Sequence, residues 1–249
     1  MSAIDIEQVD KSYATEPPVH ALDRIDLRVE PGEFIALLGP SGCGKSTLLN
    51  IIAGFELATA GVTRVHGRPV DRPGPDRGVV FQEGALFPWL SVWENVIFGP
   101  KIQGMARASY EARANEMIEI VGLTDFKHHL PVQLSGGMRQ RVGIARILTL
   151  GSEVLLMDEP FGALDAQTRL SMQELLLSVW QRLKPTVVFV THDIDEALFL
   201  ADTIYVMSAR PGRIQARMVV PLSRPRRIED TTGERFNAMK REILKQIRH

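Results

Sequence analysis

Residues Gly39-Pro40-Ser41-Gly42-Cys43-Gly44-Lys45-Ser46-Thr47 carry the types and spacing that phosphate chemistry needs. They complete the pattern G-x-x-x-x-G-K-[ST] and directly follow an apolar run, Phe34–Leu38, that reads as a strand. The glycines let backbone N–H groups converge on phosphate oxygens, and the positive end of the following helix adds to that field. Lys45 supplies a point charge for the β- and γ-phosphates, and the Ser46 hydroxyl is a Mg²⁺ ligand. Cys43 fills a free position of the loop and reads as a small residue that fits there.

A second apolar strand, Val154–Met157, ends in Asp158-Glu159. Successive strand residues point to opposite faces, so the two acids are expected to do different jobs. Asp158 suits the Mg²⁺ shell, and Glu159 suits orienting or deprotonating an attacking water. A third strand, Val187–Val190, runs into Thr191-His192-Asp193, and Gln82 follows Val79-Val80-Phe81. Both His192 and Gln82 therefore fall at strand ends, the edge where α/β sheets place ligands. A lone histidine is more often structural than catalytic, and Gln82 by itself would mean nothing.

Many phosphate-loop proteins share those features. The discriminating segment is Leu134-Ser135-Gly136-Gly137-Met138, continuing through Arg139-Gln140-Arg141. Ser135 can cap a helix whose free N–H groups form a second phosphate site, and paired glycines allow close backbone approach. Here the chain resembles the ABC ATPases, whose signature is L-S-G-G-Q or a near variant, with Met138 at the last position. The resemblance covers nearly the whole chain, with its motifs in order.

The resemblance implies roles that the residues alone do not. Tyr13 matches the adenine-stacking aromatic, and Gln82 the glutamine loop, which also reaches the metal. Asp165, in Ala163-Leu164-Asp165, matches the loop that contacts the opposing subunit, and His192 matches the switch histidine. Each ATP, with Mg²⁺, would lie between the phosphate loop of one protomer and the signature of the other in a head-to-tail homodimer. The implied fold is α/β: a P-loop NTPase (RecA-like) core with a parallel sheet, a small antiparallel β subdomain and an inserted helical subdomain. The stretch Phe81–Val96 and the run Met207–Ile214 are similar to the bacterial nitrate/sulfonate/taurine importer branch. That branch implies integral-membrane permease subunits, a periplasmic or extracellular substrate-binding protein, and a peripheral place on the cytoplasmic face of the plasma membrane.

The elements that must position these groups follow from periodicity. Ile25–Val29 alternates as a half-exposed strand, and a short helix after the phosphate loop stops near Gly54. From about Glu83 to Leu150 the pattern turns helical: Tyr110, Ala114, Met117, Ile118 and Val121 form one stripe ending at Gly122. Helices are expected over Gly137–Leu148, Ala166–Leu183 and about Glu234 to His249, with a strand over Ile204–Met207. We divide the chain into a nucleotide-binding core, 1–82 and 151–249, and a helical subdomain, 83–150. The whole forms one domain.

Composition sets outer limits. Among 249 residues, 29 Lys and Arg against 30 Asp and Glu leave a net charge of -1, which provides no basic field for nucleic acid. The Arg-rich run Ser223-Arg224-Pro225-Arg226-Arg227 reads as a solvated turn. One cysteine excludes an internal disulfide and suits a reducing compartment. No apolar run approaches the roughly 20 residues of a spanning helix, and the acidic N-terminal segment has no signal-peptide core. The alternatives are a soluble ABC ATPase outside transport, such as one in cluster assembly, and a phosphotransferase kinase. The signature argues against the kinase.

Overall fold

The computed structural model describes residues 2–82 and 85–247. In chain order its first elements are β1 (Ile4–Tyr13), β2 (Val19–Val29), β3 (Phe34–Leu38), α1 (Lys45–Ala53), β4 (Ala60–Val65) and β5 (Arg68–Pro69). Next come β6 (Arg77–Val80), α2 (Val92–Ile102), α3 (Arg107–Ile120), α4 (Gly136–Leu150), β7 (Val154–Asp158) and α5 (Ala166–Leu183). The chain finishes with β8 (Thr186–Thr191), α6 (Ile194–Leu200), β9 (Thr203–Met207), β10 (Ile214–Val219) and α7 (Glu234–Ile247). Two compact units result, Met1–Gly74 with Lys184–His249, and Pro75–Leu183. Their limits lie at 74/75 and 183/184, so β6 and β7 group with the helices.

In the first unit, β3 lies between β8 and β9, parallel to both, and β10 is antiparallel to β9. Every residue of β3, β8 and β9 is buried. A strand covered on both faces needs a continuous apolar run, and Phe34–Leu38 and Val187–Val190 supply it. Phe34 and Phe189 pack with ring centroids 6.0 Å apart. A separate antiparallel sheet runs β2-β1-β4-β5. In β2, from Asp23 onward, buried and exposed residues alternate, which is the alternation read at Ile25–Val29. Helix α1 stops at Gly54, whose φ of 80° is left-handed, and Gly54 N–H bonds the Asn50 and Ile51 carbonyls.

The second unit pairs β6 with β7 in parallel and surrounds them with helices. The stripe on α3 buries Tyr110, Ala114, Met117 and Ile118, and Val121 just beyond it is buried as well. Helix α2 begins with a capping box in which Ser91 and Glu94 satisfy each other's backbone N–H groups. Asn95 is fully buried, and its amide bonds Phe87 N–H and the carbonyls of Phe87, Leu90 and Ser91, so it ties down the turn before α2. Helix α5 spans the predicted residues. In the terminal helix α7, Phe236 and Ile243 are buried; its expected last residues, Arg248 and His249, lie outside the described ones.

The Arg-rich run departs from expectation. Arg226 is only 6% exposed, and its Nη1 donates to the carbonyls of Leu198, Phe199 and Ala201 at 2.9, 3.1 and 2.7 Å. Arg224 donates to the Leu200 carbonyl at 2.6 Å and pairs with Asp202 at 2.8 Å. Helix α6 ends there with no glycine to turn its chain. The two guanidiniums satisfy its orphan carbonyls and sit at the negative end of its dipole. Burial pushes the Arg226 guanidinium down to about 10, so it stays charged at neutral pH.

Candidate functional site

The first unit carries the phosphate loop. It leaves β3 at Gly39 and enters α1 through Gly44, which takes φ 99° and offers no side-chain cap to the helix. An L side chain is strained there, and a methyl on Gly44 would lie 2.6 Å from Leu22 Cδ2 and 3.0 Å from the Ala21 carbonyl. A helix start without a side-chain cap suits an anion, because its first-turn N–H groups and dipole favour negative charge. Lys45 is 5% exposed, and its ammonium donates to the carbonyls of Gly39 and Pro40, each at 2.9 Å, with Cys43 Sγ 3.8 Å away. Among the described residues this buried cation has no carboxylate partner. A buried charge held only by neutral dipoles favours an incoming anion strongly. Cys43 itself is 1% exposed.

Two more expected residues lie in the same unit. The Tyr13 hydroxyl is 3.2 Å from Thr47 Oγ1 and donates to Glu56 at 2.7 Å, which brings it to the helix that follows the phosphate loop. Burial, then the bond to Glu56, holds the Tyr13 hydroxyl above its ordinary value. Glu56 has no counterpart in the sequence reading, and its partners come from β1 and α1 through the fold. His192 follows β8, whose Thr191 pairs with Leu38 of β3. The histidine and Gly39 therefore leave the same edge of adjacent strands. His192 is exposed, while Asp193 caps α6 by accepting from the N–H groups of Asp195 and Glu196.

The second unit holds the remaining groups. Val80 of β6 pairs with Met157 of β7, so Gln82 and Asp158-Glu159 emerge side by side. A methyl on Gly162 would lie 3.0 Å from Gln82 Nε2 and 3.5 Å from the Glu159 carbonyl, which places Gln82 against the Glu159 turn. Glu159 adopts φ 42°, a left-handed conformation uncommon for a side chain of its size. The 3.1 Å bond from Gly162 N–H to the Glu159 carbonyl closes the turn and holds this conformation.

Ser135 caps α4 as expected, accepting from Met138 N–H at 3.2 Å. It opens on a cavity of about 400 Å³ that Gly137, Met138, Arg141 and Thr168 also line. Gly137 is required for packing, since a methyl there would lie 2.6 Å from Thr168 Cγ2. Asp165 Oδ1 accepts from Thr168 N–H at 3.0 Å, so the two expected elements meet at the start of α5. The Thr168 hydrogen bonds hold the Asp165 carboxyl below the usual range.

Two residues of α4 were not assigned roles in the sequence. Gln140, 2% exposed, donates to the Phe81 carbonyl at 3.1 Å, and Arg146 donates to the Ala85 carbonyl at 2.9 Å. The signature helix thus grips the chain on both sides of the glutamine loop, whose Glu83 and Gly84 lie outside the described residues. Arg146 also lies over the Phe87 ring, which packs on Trp89 and Phe98 with centroids 5.7 and 4.4 Å away. The only signal in the sequence was that Gln140 and Arg146 are polar residues in a helix that also carries Val142, Ile144, Ile147 and Leu148.

Among the described residues no helix is long and apolar enough to cross a membrane. The chain is 55% identical over 199 residues to a taurine import ATP-binding protein of Rhizobium johnstonii, covering 80% of this chain and 76% of that one. It is 48% identical over 224 residues to a nitrate import ATP-binding protein of Synechocystis, covering 90% and 83%. A solved dimeric ATP-binding cassette in a post-hydrolysis state, bound to ADP and Pi, superposes with a TM-score of 0.75 at 33% identity, covering 88% of this chain and 100% of that one. The family described as ABC transporter matches residues 22–162. With that match falling on the phosphate loop, the signature and the Asp158-Glu159 strand end, the chain belongs to the ABC transporter family.

Proposed function

We propose that the chain is the ATP-hydrolysing, energy-coupling subunit of a bacterial ABC importer for a small anionic or organic solute of the nitrate, alkanesulfonate or taurine type. The observation that carries the reading is Lys45, a buried ammonium at a helix start whose partners among the described residues are neutral. Residues 39–47 would cradle the triphosphate and Tyr13 would stack on adenine. Glu159 would take a proton from the attacking water while Gln82 and His192 orient it and sense the γ-phosphate. Ser46, Asp158 and Gln82 offer hydroxyl, carboxylate and amide oxygens, a hard donor set that fits Mg²⁺. When bound, that ion would neutralise charge on the β- and γ-phosphates.

Ser135, exposed at the tip of α4, supports a contribution of Leu134–Met138 to nucleotide bound by a second copy. The relatives' import names and the dimeric cassette favour a homodimer working with permease subunits on the cytoplasmic face of the plasma membrane, and with a substrate-binding protein on the far side. Trp89, 71% exposed beside Phe87 and Phe98, provides an apolar face suited to a permease segment. The test joins two measurements: Mg²⁺-dependent release of phosphate by the purified chain, and its recovery from membranes with an integral-membrane protein. A strictly monomeric chain that hydrolyses ATP at full rate and never partitions with membranes would overturn the reading.

A further inference from the structure

The loop joining β9 to β10 braces the phosphate loop from outside. Gly212 bonds β2 twice, through its N–H to the Ala21 carbonyl at 2.9 Å and its carbonyl to Asp23 N–H at 3.0 Å. Arg213 locks the same loop, accepting from Ser208 N–H at 3.0 Å and pairing through its guanidinium with Asp23. The brace touches the phosphate loop backbone to backbone. A methyl on Gly212 would lie 2.1 Å from the Cys43 carbonyl, and one on Gly39 2.9 Å from the Met207 carbonyl. From this fixed base the exposed Arg210 reaches over the loop, its Nε 3.4 Å from the Gly42 carbonyl oxygen.

That carbonyl shares a planar trans peptide with the N–H of Cys43, so the two point in opposite directions. Among the described residues, the Cys43 N–H makes a long 3.4 Å bond to the Pro40 carbonyl, which an anion could readily replace. A guanidinium on the carbonyl side fixes the peptide plane and polarises the amide, making its N–H a stronger donor. We infer that Arg210 is a positioning residue for nucleotide binding: it holds the Gly42–Cys43 peptide so that the Cys43 N–H is presented to phosphate. It touches no reacting atom. This rests on residues 39–47 being the nucleotide loop.

The experiment is equilibrium titration of the full chain with ATP and ADP, with steady-state ATPase kinetics, for wild type, Arg210→Ala, Arg210→Lys and Lys45→Ala. Arg210→Ala should weaken ATP and ADP alike, by about five- to tenfold, and raise KM with little change in kcat. Arg210→Lys, which keeps a charged donor, should recover part of the loss. The melting temperature of both Arg210 variants should match wild type, since the side chain is exposed. Unchanged affinities would overturn the inference. So would a loss confined to ATP, which would put Arg210 on the γ-phosphate, or a loss in kcat alone. If Lys45→Ala keeps full nucleotide affinity, the nucleotide-loop reading itself fails, an outcome distinct from any result at Arg210.

Discussion

Replacing Gln140 with Met tests whether the signature helix controls the glutamine loop. The substitution roughly preserves volume, so it removes the donor to the Phe81 carbonyl without opening a large cavity. A typical hydrogen bond contributes about 0.5–1.5 kcal/mol net, and an acceptor left without a partner costs about 1–3 kcal/mol when water cannot reach it. Phe81 is partly exposed, so water can replace part of the bond and the loss should fall near 1 kcal/mol. In a chain of this length that lowers Tm by about 2–4 °C. Catalysis should fall further than stability suggests. The bond holds one side of the loop that carries Gln82, and Gln82 lies against the Glu159 turn. A loosened Gln82 should slow single-turnover hydrolysis about tenfold, equivalent to about 1.4 kcal/mol in the barrier. Nucleotide affinity should hold, because the phosphate loop belongs to the other compact unit. Calorimetry, ATP titration and single-turnover hydrolysis measure the three quantities. A variant with lowered Tm and undiminished single-turnover rate would refute the reasoning, leaving Gln140 as a packing residue only.

Glu159→Gln should bind ATP normally, lose hydrolysis by about a hundredfold or more, and accumulate an ATP-loaded dimer visible by size-exclusion chromatography. Ser135→Arg and Lys45→Ala should each be inactive, whereas mixing them should restore part of the activity through one intact shared site; no restoration in mixed dimers would count against sharing. Arg226→Met should destabilise the chain by about 3 kcal/mol, because several buried carbonyls at the end of α6 lose their donor together, and chemical denaturation would detect it. Burial alone would raise Glu56, but hydrogen bonds from Tyr13, Asn50 and Lys11 hold it below the ordinary carboxylate value. Its folded value is the lower one, so its contribution is present above the unfolded value of about 4.3 and is lost as pH falls through the folded value. Glu56→Gln should therefore flatten the acid decline of Tm below about pH 4.5 relative to wild type.

Residue types and their local spacing determined most of what concerns chemistry. Phe34–Leu38 must be a doubly covered strand, the glycines after it must turn tightly, and Ser135 must cap the helix it precedes. These depend on period, backbone freedom and neighbouring N–H groups, all of which act within a few residues. Only the tertiary structure decided the long-range partners. Glu56 meets Tyr13 across 43 residues, Gln140 meets Phe81 across 59, and Arg210 meets Gly42 across 168. It also turned the Arg-rich run from the expected solvated turn into a buried cap for α6. A cation's local sequence cannot say which distant carbonyls lack donors, because those are created only when another helix ends beside it.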